Sequence, residues 1–138
     1  MDELVFYFDR NFGKRLPNAL AKLRPPVGIR WHQGQGYRQD MPDDEWMGLV
    51  GAKDWVVLTQ DIKFHLIEHE IEHEIEAVKQ HNIKCFYFAD GQAGMWNTLG
   101  VFMRTHRKLM TIAHENSSPF IFTVKNNGVV KPTFLMRE

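Results

Sequence analysis

The run Trp55-Val56-Val57-Leu58-Thr59-Gln60-Asp61 restricts what this chain can become. Four apolar residues in a row, two of them β-branched, read as a strand covered on both faces, which is the signature of a parallel sheet sandwiched between helices. The strand ends on a threonine and a carboxylate. A second such run, Leu4-Val5-Phe6-Tyr7-Phe8, also stops on a carboxylate, Asp9. Upstream of the first run, Asp43 opens the acidic stretch Asp43-Asp44-Glu45. In an open α/β sheet the carboxyl ends of parallel strands lie side by side, and ligands bind in the crevice beyond them. Two strands delivering Asp9 and Asp61 to that edge, with a third carboxylate at a helix start, predict an acidic pocket.

The remaining segments fit the same architecture. A helix is predicted from about Leu16 to Leu23, with Pro17 tolerated in its first turn and Pro25-Pro26 ending it. Val27 to Trp31 reads as a strand, and His32 to Met41 as a polar, glycine-bearing loop. Pro42-Asp43-Asp44-Glu45 starts a helix whose acidic first turn suits the helix dipole. From about Ile62 to Gln80, Ile67, Ile71 and Ile75 form an apolar stripe at helical spacing. Lys84 to Phe88 is a further strand, and a helix runs from about Met95 to Ala113. Phe120 to Val124, the turn Asn126-Asn127-Gly128 and Val129-Val130 predict a terminal hairpin, with Pro132 marking its second arm as an edge strand. Strand–helix alternation implies a parallel sheet with right-handed crossovers, in one α/β domain spanning residues 1–138.

Composition sets the limits. A chain of 138 residues with 43% apolar and 25% charged side chains has the make-up of a globular protein with a real core. No run is long and apolar enough for a membrane span, and the start Met1-Asp2-Glu3 is too acidic for a signal peptide, so the expected location is the cytoplasm. The single Cys85 lies in an apolar run and reads as a buried structural thiol. Net charge is zero, so any attraction for nucleic acid must come from local patches.

Carboxylates brought close together repel, and such a cluster either raises a pKa or recruits a cation. Hard oxygen donors suit Mg²⁺ or Mn²⁺, which lower the pKa of a bound water and offset charge on a phosphate. On spacing alone, the competing reading is that strand-end Asp residues serve as helix caps.

Asp43-Asp44-Glu45-Trp46, the apolar helix that follows, and Val56-Val57-Leu58-Thr59-Gln60-Asp61-Ile62-Lys63-Phe64 together resemble the PIN-domain nucleases. In that family an acid opens a helix that leads to a buried strand ending in T-x-D-x-x-F. Phe8-Asp9 is similar to the family's first acid, and the compact layout, with Pro119-Phe120-Ile121-Phe122, resembles the small PIN-like proteins grouped with VapC-type toxins. The resemblance spans roughly residues 4–124. It implies Asp9, Asp43 and Asp61 as ligands of Mg²⁺ or Mn²⁺, Asp44 as the alternative to Asp43, and Thr59 as a brace beneath the pocket. The implied activity is endoribonuclease cleavage by a metal-activated water, with RNA as substrate, an antitoxin protein as partner and compatibility with a homodimer. The segment between Trp31 and Pro42 is too short for the extra helices in which larger PIN domains carry another glutamate. Asp90 is a substitute for it or simply a turn residue ahead of Gly91.

His69-Glu70-Ile71-Glu72-His73 matches H-E-x-x-H, which would make a small zinc peptidase the rival enzyme. The match arises from the repeat Ile-Glu-His-Glu at 67–70 and 71–74. His65, His69 and His73 also read as a solvated stripe, and His81, His106 and His114 are the remaining candidates for a third ligand. A catalytically inactive PIN-like module that binds RNA or protein is the other alternative. Arg10, Asn11, Lys14 and Arg15 flank the pocket as phosphate contacts or as ordinary surface. Arg104, Arg107 and Lys108 form a basic helix end that also complements the helix dipole, and Trp31, Trp46, Trp55 and Trp96 are read as core in preference to base-stacking platforms.

Overall fold

The computed structural model describes residues 4–60, 75–89 and 94–135. Among these residues six strands form one sheet: β1 (Val5–Phe8), β2 (Gly28–Trp31), β3 (Val56–Thr59), β4 (Lys84–Phe88), β5 (Phe120–Val124) and β6 (Val130–Leu135). Their order is β2-β1-β3-β4-β5-β6. The first five run parallel, and β6 returns antiparallel to β5 as the predicted hairpin arm. Pro132 sits opposite Phe122 on the sheet's edge, where a missing N–H costs no ladder bond. The helices are α1 (Arg15–Lys22), α2 (Asp43–Ala52), α3 (helical residues 75–80) and α4 (Met95–Glu115).

Residue alternation along the strands divides the core in two. Phe6, Phe8, Val56, Leu58, Phe86, Phe88, Phe120 and Phe122 face α1 and α4, meeting Leu16, Leu20, Phe102 and Leu109. Tyr7, Val57, Cys85, Tyr87 and Ile121 face the other way, onto Trp46, Met47 and Val50 of α2 and Val78 of α3. Val56, Val57 and Leu58 are completely buried, as expected for a strand with both faces covered. Each such side chain contributes about 1.5–3 kcal/mol of burial. Cys85 is buried and unbridged.

Two details depart from the sequence expectation. α4 lies on the α1 face, with the Phe102 ring 5.9 Å from Phe6, although β4→β5 steps across the sheet in the opposite sense to β1→β2. That crossover therefore has the opposite hand to β1–α1–β2, against the usual right-handed rule. Its position gives the α1 face a long helix where α1 alone, with its 8 residues, would leave the aromatic strands β4 and β5 bare. The stretch from His32 to Met41 is also more ordered than its composition suggests: Gln33–Gln35 forms a 3-10 turn closed by Gly36 at φ 76°.

Candidate active site

β1 and β3 are neighbours, but the chain leaves β1 towards one edge of the sheet and returns to β3 on the other side. Their carboxyl ends thus form the topological switch point, where α/β sheets open a crevice. Asp9 stands there. Its backbone N–H donates to the Leu58 carbonyl (3.1 Å), extending the β1–β3 ladder by one rung. Its side chain is only 3% exposed. One carboxylate oxygen accepts the Asn11 backbone N–H (3.0 Å), capping the 3-10 turn Arg10–Phe12. The other accepts the hydroxyl of Thr59, the last residue of β3. Asp9 is thus both a turn cap and a carboxylate braced from the adjacent strand. The Asn11 side chain is exposed beside it.

α2 supplies the second carboxylate. Pro42 precedes the helix in extended conformation, and Asp43, Asp44 and Glu45 fill its first turn, where the positive end of the helix dipole favours negative charge. Asp43 Oδ1 accepts from Arg10 Nη2 (2.7 Å) and from the indole Nε1 of buried Trp46 (3.0 Å). Arg10 also donates to the Gln39 carbonyl (2.9 Å) and the Met41 carbonyl. The guanidinium that the sequence offers as a phosphate contact is therefore engaged in tying the Asp9 turn to the start of α2. Asp44, one residue on and about 100° round the helix, turns away and pairs with His81 Nε2 at 2.8 Å. The two neighbouring acids serve different partners.

Beneath this cluster lies a buried relay that sequence reading misses. The Tyr7 hydroxyl is 2.8 Å from His32 Nδ1, and His32 Nε2 is 2.7 Å from the Arg38 carbonyl. A carbonyl only accepts, so Nε2 carries a proton, and for a neutral ring Nδ1 then accepts from Tyr7. Both side chains are fully buried. Burial, reinforced by the negative charge of Asp9 and by Tyr37 and partly opposed by Arg10, pushes the Tyr7 phenol well above its ordinary value. Tyr7 also packs against Trp46 and Trp55 (centroids 5.5 and 6.2 Å). The only sequence signal was a histidine immediately after a strand, in a loop otherwise read as irregular.

Asp61, Asp90, His65, His69 and His73 lie outside the described residues. Among the described residues no three His, Cys, Asp or Glu side chains are grouped to hold a metal ion. His81 is taken by Asp44, and His106 donates through Nδ1 to the Met103 carbonyl (2.7 Å). Asp9 and Asp43 offer hard oxygen donors of the kind Mg²⁺ and Mn²⁺ prefer. The assignment of Trp96 to the core is overturned: its side chain is 86% exposed, whereas Trp46 is 2% exposed. No described helix is long and apolar enough to cross a membrane. A family model described as a PIN like domain matches residues 4–90, which takes in the Asp9 turn, α2 and β3 through β4. No match was found among curated proteins or solved structures.

Proposed function

Since the chain belongs to the PIN-like domain family, which is associated with nucleases, we propose that it is an endoribonuclease dependent on Mg²⁺ or Mn²⁺. The observation that carries the reading is the placement of Asp9: a nearly buried carboxylate at the switch point of the sheet, braced by Thr59 from the adjoining strand. A carboxylate held this way keeps one orientation, as a ligand site requires. Asp43 at the head of α2 is the second acid, and Asp61, two residues beyond Thr59, completes the proposed set. A divalent cation bound there would supply a water of lowered pKa and offset charge gathering on the phosphate.

The chain's own residues divide the remaining work. Thr59 and the Asn11 N–H hold Asp9; Trp46 holds Asp43. Arg10 ties the two acidic elements together and balances part of the charge of Asp43. A further part of the proposal, drawn from the resemblance to VapC-type toxins, is that an antitoxin protein restrains the activity.

The test pairs binding with cleavage. Wild-type protein is expected to bind Mn²⁺ in calorimetry and to cut single-stranded RNA only when the ion is present. Asp9→Asn should keep the circular dichroism spectrum and lose both Mn²⁺ binding and cleavage. Undiminished cleavage by Asp9→Asn would overturn the assignment.

A further inference from the structure

We infer that the outer face of α4 is the single-stranded RNA platform of this protein, with Trp96 as the residue on which a base stacks. The inference rests on the nuclease reading for the identity of its ligand, but the platform itself is read from geometry and charge.

Trp96 is the most exposed large apolar side chain among the described residues, at 86%. Met95 and Met103 beside it are about half exposed. At position 100, one turn beyond Trp96, a glycine leaves the helix surface bare: a Cβ added there would meet nothing within 4 Å. An indole this exposed offers a ring face to a ligand, which is what base stacking uses. In a helix already buried through Thr98, Val101, Phe102, Thr105 and Leu109, this ring serves no packing need.

Charge selects a polyanion over an apolar protein surface. Residues 94–135 hold five of the chain's seventeen Lys and Arg side chains but only one of its seventeen Asp and Glu side chains, Glu115. Arg104, Arg107, Lys108, Lys125 and Lys131 form no ion pair among the described residues. Arg104 and Lys108 donate to the carbonyls of Asn126 and Gly128 in the β5–β6 turn, so they fasten the hairpin while adding positive potential. Arg107 lies eleven residues after Trp96, nearly in line with it along the helix and about 16 Å away, a span of two to three nucleotides.

Position links the platform to the acids. Thr98, two residues after Trp96, accepts from the Gln60 amide (3.2 Å), and Gln60 directly follows Thr59. The first turn of α4 therefore sits at the same carboxyl edge of the sheet as Asp9. A strand whose base rests on Trp96 would have its backbone within reach of that edge.

Fluorescence anisotropy with a labelled oligouridylate, in EDTA so that no cutting occurs, tests this directly. Trp96→Ala should weaken binding by about five- to a hundredfold, Trp96→Phe should keep most of it, and duplex RNA of the same length should show no such dependence. Arg107→Gln should lower the slope of log Kd against log salt by about 0.7. Equal affinity of wild type and Trp96→Ala for the oligouridylate would overturn the platform, whether or not the protein cuts RNA. Absence of RNA binding together with self-association that Trp96→Ala abolishes would overturn it in favour of a protein interface. Binding that depends on Trp96 without any Mn²⁺-dependent cleavage would sustain the platform and sink the nuclease reading.

Discussion

At the scale of single residues, the site depends on polar groups that have been taken out of water and given named partners. Thr59 is fully buried, and its hydroxyl is satisfied by Asp9. Thr59→Val keeps the shape and removes that donor, so it is expected to cost about 1–3 kcal/mol in urea unfolding, while Thr59→Ser should stay close to wild type. The Tyr7–His32 contact makes a second case. Tyr7→Phe leaves the buried Nδ1 of His32 without its donor and should also cost about 1–3 kcal/mol at neutral pH. Because folding raises the Tyr7 pKa above its ordinary 10.0, the folded state holds the phenol neutral. The stability this gives is full below about pH 10 and is lost as pH climbs past that value, where the unfolded phenol ionises. Tyr7→Phe lacks that titration, so the gap between variant and wild type should narrow in urea melts taken above pH 10. A gap that stays constant would show that Tyr7 does not titrate this way.

Elements show where local pattern suffices and where it does not. β4 and β5 have the bounds their apolar runs predict, and α2 begins at Asp43 because an acidic turn after proline is a start signal independent of the rest of the chain. The loop after β2 carried no comparable signal: what orders it is a hydrogen bond between His32 and Tyr7, 25 residues apart. Trp96 misled for a related reason. A tryptophan in an amphipathic helix is usually core, but Trp96 sits on the flank opposite Val101, Phe102 and Leu109. Glycines separate the two elements further. Gly51 of α2 lies against the carbonyl of His81, which an added Cβ would meet at 2.3 Å, so α2 packs tightly where the chain enters β4. Gly51→Ala is expected to destabilise the fold, and Gly100→Ala, in open space on α4, to stabilise it by about 0.4–1 kcal/mol. Differential scanning calorimetry of the two variants reads opposite signs of ΔTm; a rise for Gly51→Ala would contradict the packing described.

For the molecule as a whole, the layered architecture was readable because doubly covered strands announce themselves, whereas the hand of the β4–α4–β5 crossover was not. No local pattern encodes the face on which a helix docks; that choice follows from which aromatic surface still needs covering. Charge behaves similarly. A net charge of zero hides an arrangement in which the last third is basic and the rest acidic, and only a folded chain decides whether such a bias becomes a patch. Along the site, the order Asp9, Asp43, Thr59 was legible as a family resemblance, but the different partners of Asp43 and Asp44 follow from helix rotation and from His81.

The hairpin edge carries a consequence for how any other polypeptide can meet this protein. β6 ends the sheet with a proline and exposed Lys131, so an incoming extended segment finds an interrupted row of donors and a positive charge in place of a template. At the opposite margin β2 offers only four residues, with Arg30 turned outward. Recruitment by strand addition is blocked at one flank and barely supported at the other. A regulator of this protein is therefore expected to seat a helix or a loop upon it rather than lengthen its sheet.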